Sequence, residues 1–512
     1  MASRPRPLIA AAVALAVVAL TAGSALVTAM GAESWQLTAP DRAALRFTLL
    51  QAALSAGVSA LLAVPLARAL VRRRFPGRGA LMRLMAAPFL LPTIVAVLGL
   101  LAIFGRSGPV NGLLEAMGLP AFSVFGLHGV VLAHVFLNLP LATRMLVHGW
   151  QAIPAERFRL AQSLGMGPGA QFRHLEWPML RAVLPGAFVL VFLLCLASFA
   201  VALTLGGGPG ASTIELSIYQ ALRFDFDLGR AALLAALQFL LCAAVTLAAM
   251  RLAVAEGFGA GLGRALEVPA PRGWRRMADA TVIALAAAFL LAPLLAVALR
   301  GAPGLLSLPA GVFEAALRSL VVAVISALLA VAAALALVQA RVSGHSWAEL
   351  AGMLPLTASG LVMGTGMFLI VHPLASVERL ALPVTVLVNA TLSLPYLVRL
   401  LLPQARQVQA DYGRLAESLG LRGMQRLRRV VLPRLARPLG FGTGLAAALS
   451  MGDLGVIALF AGERQATLPL MVQRLAGAYR MEAAGAAALL LVTLSFALFW
   501  AFDRLGARHA GA

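Results

Sequence analysis

The 512-residue sequence predicts an all-α integral membrane protein, about twelve transmembrane helices in two parallel six-helix halves. Three observations carry that expectation. Hydrophobic residues make up 61% of the chain and charged residues 12%, against roughly 45–50% and about 25% in an ordinary soluble domain. Apolar runs of membrane-spanning length follow one another from end to end. A polar segment of the first half returns in the second almost unchanged. A soluble core cannot hide this much apolar surface, so the span is the unit of organisation.

A helix needs about 20 apolar residues to cross a hydrocarbon core of roughly 30 Å. The first run, Leu8 to Met30, follows Arg4 and Arg6 as a signal peptide would. It exceeds the usual h-region of roughly 7–15 residues and more spans follow, so it is read as a retained helix. The next runs lie near 47–70, 81–104, 123–147, 182–205 and 229–253. Then come 277–299, 316–340, 350–371, 381–402, 438–461 and 483–502. The runs are continuous and do not alternate apolar with polar, so they are helices and not barrel strands.

Arginine in the short loops sets the orientation. The loop Val71 to Arg78, the segments 148–181 and 403–437 and the linker 254–276 each carry more arginine than acid. The alternate loops are balanced, as in Arg106 with Glu115, Glu463 with Arg464, and Glu215, Asp225 and Asp227 with Arg223 and Arg230. Both termini of this multi-pass membrane protein are therefore expected in the cytoplasm.

The repeat fixes the architecture. Arg159-Leu160-Ala161-Gln162-Ser163-Leu164-Gly165 returns as Arg414-Leu415-Ala416-Glu417-Ser418-Leu419-Gly420, an offset of 255 that also relates Pro140 to Pro395, Arg144 to Arg399 and Pro178 to Pro433. About six spans separate equivalent loops, so the halves share one orientation. The expected units are 1–46 (first helix and outer loop), 47–255 (first core), 256–312 (linker with Gly257, Gly261, Pro269 and Pro271, then an extra helix) and 313–505 (second core).

In both halves the repeated loop reads as a short polar helix stopped at glycine, then an apolar position, then proline. Glycine permits a left-handed cap and proline starts the next element. Such a loop presents a rigid helix suited to a groove on another protein. The pattern resembles the EAA loop of permease subunits of ATP-binding-cassette importers, E-A-A-x3-G-x9-I-x-L-P. Its alanine, glycine and proline fall on Ala161, Gly165 and Pro178, with Leu175 and Trp177 at the apolar positions, and on Ala416, Gly420 and Pro433, with Val430 and Leu432. The leading glutamate is Arg159 in one copy and Arg414 in the other, so any ion pair it makes elsewhere differs here; Glu156, Asp411 and Glu417 are the acids nearby.

The resemblance implies a type I importer permease fold in a bacterial inner membrane, whose loops couple to a separate ATPase subunit in two copies, with substrate delivered by a periplasmic binding protein. The chain has no G-x-x-x-x-G-K-[ST] phosphate loop and no lysine at all, so the ATP is hydrolysed by the partner and no cofactor is expected on this chain. The run Gly206-Gly207-Gly208-Pro209-Gly210 is read as a turn.

The segments Leu132 to Arg144, Glu176-Trp177-Pro178 and Ala197 to Leu222, with Ser450 to Gly455 and Thr467-Leu468-Pro469, are similar to permeases of thiamine importers. The resemblance implies thiamine, and with it its phosphates, as cargo, and a thiamine-binding partner protein. A ferric-iron importer permease shares the fused layout and is the alternative. An ion-coupled secondary transporter would need more intramembrane acids than Asp453. An intramembrane enzyme would need a catalytic constellation in the spans, and neither H-E-x-x-H nor paired carboxylates occur there.

For the substrate path the candidates are Asp453, an acid inside an expected span, and its positional equivalent Ser198. Pairing of Asp453 with arginine or backbone groups is the structural alternative. Glu215, Asp225 and Asp227 are expected in a solvated outer loop, and His134 and Asn138 are expected to hydrogen-bond a neighbouring helix. The net charge of +21 comes from arginines scattered between apolar runs, which excludes a nucleic-acid domain. Cys195 and Cys242 sit alone in apolar runs and read as small core residues, with no metal site.

Overall fold

The computed structural model describes residues 8–85, 90–251 and 273–509. Arg4, Arg6 and the glycines and prolines of the expected linker lie outside the described residues. Among the described residues every regular element is helical. Eleven helices are long and apolar enough to span a membrane, or up to twelve if one sharply bent pair counts as a span.

The first half runs α1 (Leu8–Gly31), α2 (Ala39–Arg72), α3 (Arg78–Leu84), α4 (Thr93–Phe104), α5 (Pro109–Ala116), α6 (Leu127–Ala152), α7 (Ala155–Ser163), α8 (Trp177–Leu196), α9 (Phe199–Leu205), α10 (Ile214–Gln220) and α11 (Leu228–Arg251). The second half repeats the series as α12 (Trp274–Gly301), α13 (Ala310–Val342), α14 (Trp347–Thr357), α15 (Gly360–Val371), α16 (Ala381–Ser418), α17 (Leu432–Met451), α18 (Gly455–Phe460), α19 (Leu468–Gly477) and α20 (Met481–His509).

The offset of 255 holds from α8 to α17, which start at Trp177 and Leu432. Upstream it grows to 267 between α4 and α15, because the first half inserts the twelve-residue excess that contains α5, and to 271 between α2 and α13. The halves are interlocked by their leading helices. Helix α1 packs on α13, α14 and α15 of the second half, and α12 packs on α2 and α4 of the first. Both contacts are made at glycines one repeat apart. A Cβ at Gly366 on α15 would lie 2.5 Å from Ser24 Cβ of α1, and one at Gly99 on α4 would lie 2.7 Å from Pro293 O of α12. In a bilayer, close packing of small residues replaces the hydrophobic drive between helices. Leucines and isoleucines such as Ile9, Leu61, Leu285 and Leu317 face outward, as lipid contact requires.

Four of the spans expected to be continuous are broken. The 81–104 span is split into α3 and α4, the latter starting behind Pro92, whose ring disfavours helix at Leu91. The 182–205 span stops at Leu196 and restarts at Phe199 behind Ser198, which is extended. The 350–371 span bends by 92° between α14 and α15, behind the extended Ser359, whose hydroxyl accepts from Val362 N at 3.1 Å. The 438–461 span breaks between Met451 and Gly455. Serine and proline compete with the helix for backbone geometry. Non-helical backbone at membrane depth is tolerated only where it is buried in protein or lines a cavity, and all four breaks face the same space.

Candidate functional site

The breaks between α8 and α9, between α17 and α18, and at the starts of α4 and α15 surround a cavity of about 340 Å³ between the halves. Ending a helix at mid-depth orphans its last carbonyls. Gln51 of α2 donates to Cys195 O at 3.0 Å and Gln238 of α11 donates to Leu196 O at 2.9 Å. Two short helices close in beside them, and each is fixed by a hydroxyl of its half: Ile214 N of α10 donates to Thr48 Oγ1 at 2.9 Å, and Leu468 N of α19 donates to Ser319 Oγ at 2.8 Å.

Both sequence candidates line this cavity. Asp453 sits just ahead of α18 with its carboxylate facing the N–H groups of Gly455, Val456 and Ile457 and the side chain of Asn389, while Oδ2 has no partner. Ser198 lines the opposite break. The two alternatives for Asp453 therefore combine: one oxygen is held by backbone, the other is uncommitted.

Glu215 corrects an expectation. Expected in a solvated loop, it is 1% exposed and lines the cavity, because Ile214–Gln220 folds inward as a helix capped by Thr213. Ser359 and Gln238 face its carboxyl, yet neither oxygen closes a hydrogen bond of good geometry. The only sequence signal was Thr213 as a cap ahead of an apolar stretch. Asp225 and Asp227 do stay at the surface. His134 makes the expected bond to a neighbouring helix, Nδ1 with Ser55 Oγ of α2 at 3.3 Å; Asn138 Nδ2 reaches Cys195 Sγ of α8 at 3.5 Å and also donates to His134 O of its own helix at 2.9 Å, and both residues line the cavity. Phe199 and Tyr396 supply aromatic surface. No arginine is among the described lining residues. The cavity therefore offers two carboxylates, aromatic faces and neutral hydrogen-bonding groups, a chemistry that suits an organic cation.

A second constellation lies at the repeated loops. In the first half α7 ends in a Schellman motif: Gly165 has φ +67°, Met166 N donates to Ala161 O at 2.9 Å and Gly165 N to Gln162 O at 2.9 Å. In the second, Gly420 has φ +68°, Leu421 N donates to Ala416 O at 2.9 Å and Gly420 N to Glu417 O at 3.0 Å. Ala161 and Ala416 are buried against the body, whereas Arg159 and Arg414 are exposed. Leu160 and Leu164, and their equivalents Leu415 and Leu419, present an exposed apolar pair in each loop. Each loop then runs through a π-turn, Phe172–Glu176 or Leu427–Val431, into α8 or α17. Pro178 and Pro433, second residues of those helices, cannot donate back and crowd the preceding turn, which widens.

The second loop differs from the expected short helix. Its polar stretch is the end of the 38-residue α16. In the first half Ile153 is extended ahead of Pro154, which separates α6 from α7; the equivalent of Pro154 is Gln409, which continues the helix.

Residues 58–256 match the family described as binding-protein-dependent transport system inner membrane component. A thiamine transport system permease protein of Salmonella typhimurium is 42% identical over 479 residues, covering 91% of this chain and 89% of that protein. The thiamine transport system permease protein of Haemophilus influenzae is 33% identical over 516 residues, covering 97% and 96%. A molybdenum transport system permease protein of Azotobacter vinelandii is 32% identical over 182 residues, 36% of this chain and 80% of that protein.

Proposed function

Since this chain belongs to the family of binding-protein-dependent transport system inner membrane components, we propose that it is the permease subunit of an ATP-driven importer of thiamine. The observation that carries the substrate is the pair of carboxylates, Asp453 and Glu215, in a cavity between the halves with no arginine among its described lining residues. The thiazolium of thiamine is a fixed cation that no proton loss can neutralise. Only fixed acids and aromatic faces compensate it in a desolvated site.

In this reading α7 and the end of α16 lie in the cytoplasm with both termini. Each docks through its exposed leucine pair, Leu160 with Leu164 or Leu415 with Leu419, on one of two copies of a separate ATPase. A periplasmic thiamine-binding protein delivers the substrate from the opposite side. Arg159 and Arg414 offer positive charge where the loop motif usually has glutamate, so they call for an acid on the ATPase, or else leave Glu156 and Asp411 to make the pair. The ferric-iron reading is not favoured, since the Salmonella typhimurium and Haemophilus influenzae relatives, which cover 91% and 97% of this chain, are named for thiamine.

The test is uptake of radiolabelled thiamine by cells lacking their own importer, with binding protein and ATPase co-expressed. Wild type accumulates the label, and Asp453→Asn and Glu215→Gln lose at least about tenfold in transport efficiency. Absence of uptake by a wild-type complex that assembles with its ATPase refutes thiamine as the cargo.

A further inference from the structure

Two residues depart from ordinary backbone geometry in the same way. Among the described residues only Phe226 and Tyr479 hold a positive φ without being glycine, +53° and +57°. Both stand at the same place in the repeat. Phe226 closes the π-turn Ala221–Asp225 that extends α10, where Asp227 N donates to Ala221 O at 2.9 Å, and Tyr479 closes α19, where Arg480 N donates to Leu475 O at 2.9 Å. Glycine is the ordinary residue at such a cap, because a side chain there crowds the backbone, and this chain uses glycine for it at Gly165 and Gly420. The strain brings no packing in return: Phe226 is 77% exposed and Tyr479 92%. A strained backbone that holds a side chain clear of the body points to a use for that side chain outside the fold.

The two turns share one end of the molecule, over the cavity. The span Gly423–Phe460 starts in the second repeated loop, so Ala461 and Gly462, which follow it, lie at the opposite end. Arg223, three residues ahead of Phe226, donates to Ala461 O at 3.2 Å, and Arg474, five ahead of Tyr479, donates to Gly462 O at 3.2 Å. The stems of both turns thus meet on one loop. From the first turn a file of rings leads inward: Phe224, itself exposed, lies 5.7 Å from Tyr219, which lies 5.2 Å from Phe199 in the cavity wall. The charges next to the two caps differ in sign. Asp227 follows Phe226 and Arg480 follows Tyr479; both are exposed, and neither is in an ion pair among the described residues.

We propose that Phe226 and Tyr479 are the two anchors on which the substrate-delivering binding protein docks, with Asp227 facing a basic site and Arg480 an acidic site on that partner. The repeat alone would let a partner seat in either of two orientations, and the opposite charges admit one. Only a partner that spans both halves meets both rings at once, and it then stands where a substrate enters the cavity. Lipid would meet each ring separately and does not distinguish the acid beside one from the base beside the other. Exposed aromatic anchors carry much of the affinity of an interface, while charges at its rim set orientation and salt dependence. The anchors rest on the binding-protein partner of the permease reading and go beyond it in naming the contact.

The chain with its ATPase, in nanodiscs, is titrated with the fluorescently labelled thiamine-binding protein, and affinity is read by anisotropy. Phe226→Gly/Tyr479→Gly should weaken binding at least about tenfold, while SDS-induced unfolding shows a chain no less stable than wild type, since glycine relieves the positive φ. Phe226→Tyr/Tyr479→Phe keeps both rings and should bind within about twofold of wild type. Asp227→Asn/Arg480→Gln should bind with a flatter dependence on salt. A glycine pair that binds as wild type does overturns the anchors. So does a glycine pair that loses stability, which would make the rings part of the fold or of its seat in lipid. A salt dependence unaltered in Asp227→Asn/Arg480→Gln overturns the orienting charges. If the wild-type complex itself binds nothing, the binding-protein partner falls together with the anchors; full wild-type binding that the glycine pair leaves untouched removes the anchors alone.

Discussion

Glu176→Gln probes how the first loop is held to the body. The Glu176 carboxylate is 1% exposed and takes two arginines of α2: Arg68 Nε at 2.6 Å and Arg72 Nη2 at 2.9 Å. Arg68 also lies over the Phe172 ring, 4.8 Å from its centroid, so the π-turn, the acid and α2 form one unit. Removing one partner of a buried ion pair costs about 3–5 kcal/mol, because the other charge is stranded. Here the arginine side chains are 28% and 12% exposed, and water takes up part of that charge, so the expected loss is about 2–3 kcal/mol. The second half supplies its own control. The equivalents of Glu176, Arg68 and Arg72 are Val431, Gln339 and Ser343, so the same fold is built there without the ion pair. Replacing a complete buried ion cluster by well-packed neutral residues is often nearly neutral. The triple variant Glu176→Val/Arg68→Gln/Arg72→Ser is therefore expected to recover most of what Glu176→Gln loses. SDS-induced unfolding of the purified chain in mixed micelles, followed by circular dichroism, gives both numbers. A cost below about 0.5 kcal/mol for Glu176→Gln, or a triple variant no more stable than the single one, would show that the cluster is not what fastens the loop.

Gly366→Val drives a branched side chain into Ser24, where even a Cβ would be 2.5 Å from the nearest carbon; overpacking of this kind costs about 1–3 kcal/mol or more, and α1 should detach first, read as faster cysteine labelling at Ser24→Cys. Gly165 and Gly420 have open space around the missing Cβ, so only their positive φ matters. Alanine at either should cost about 1–2 kcal/mol locally, asparagine less and valine more, with thiamine-stimulated ATP hydrolysis falling in that order while the chain still inserts. Thr48→Val and Ser319→Ala each strand one buried N–H, Ile214 or Leu468, at about 1–3 kcal/mol; the sites lie in different halves, and the double variant should show additive losses in SDS unfolding.

The spans, the duplication and the loops were legible because each is written redundantly. A span is about twenty apolar residues, and a repeat survives many substitutions. The breaks were not legible, because each is carried by one or two residues, Pro92, Ser198, Ser359 or Asp453, inside runs whose hydropathy continues past them. Glu215 was misplaced for a related reason. Its helix is seven residues long, too short for an apolar period to show, and only its tertiary seat over Thr48 reveals that it turns inward. The fused end of α16 does have a sequence signal, Gln409 in place of Pro154: the repeat that aligns the loops also aligns the residue that splits one of them.

The cavity is symmetric in its backbone and asymmetric in its chemistry, and fusion of the halves is what allows both. The four breaks come in pairs, α4 with α15 and the α8–α9 gap with the α17–α18 gap, and so do the hydroxyls that seat α10 and α19. The side chains do not pair: Asp453 faces Ser198, His134 answers to Asn389, Tyr396 to Leu141, and Glu215 has only Pro469 near its position. A homodimer would have to present every such group twice about its axis. Two copies of the Asp453 and Glu215 carboxylates would put four acids around one monovalent ligand and leave the surplus charge buried and unpaired, at several kcal/mol. In a single chain each half drifts alone. The backbone pairs persist because alternating access needs two matched bodies moving about one site, whereas a small ligand with a charged end and a neutral end is better held by unequal walls.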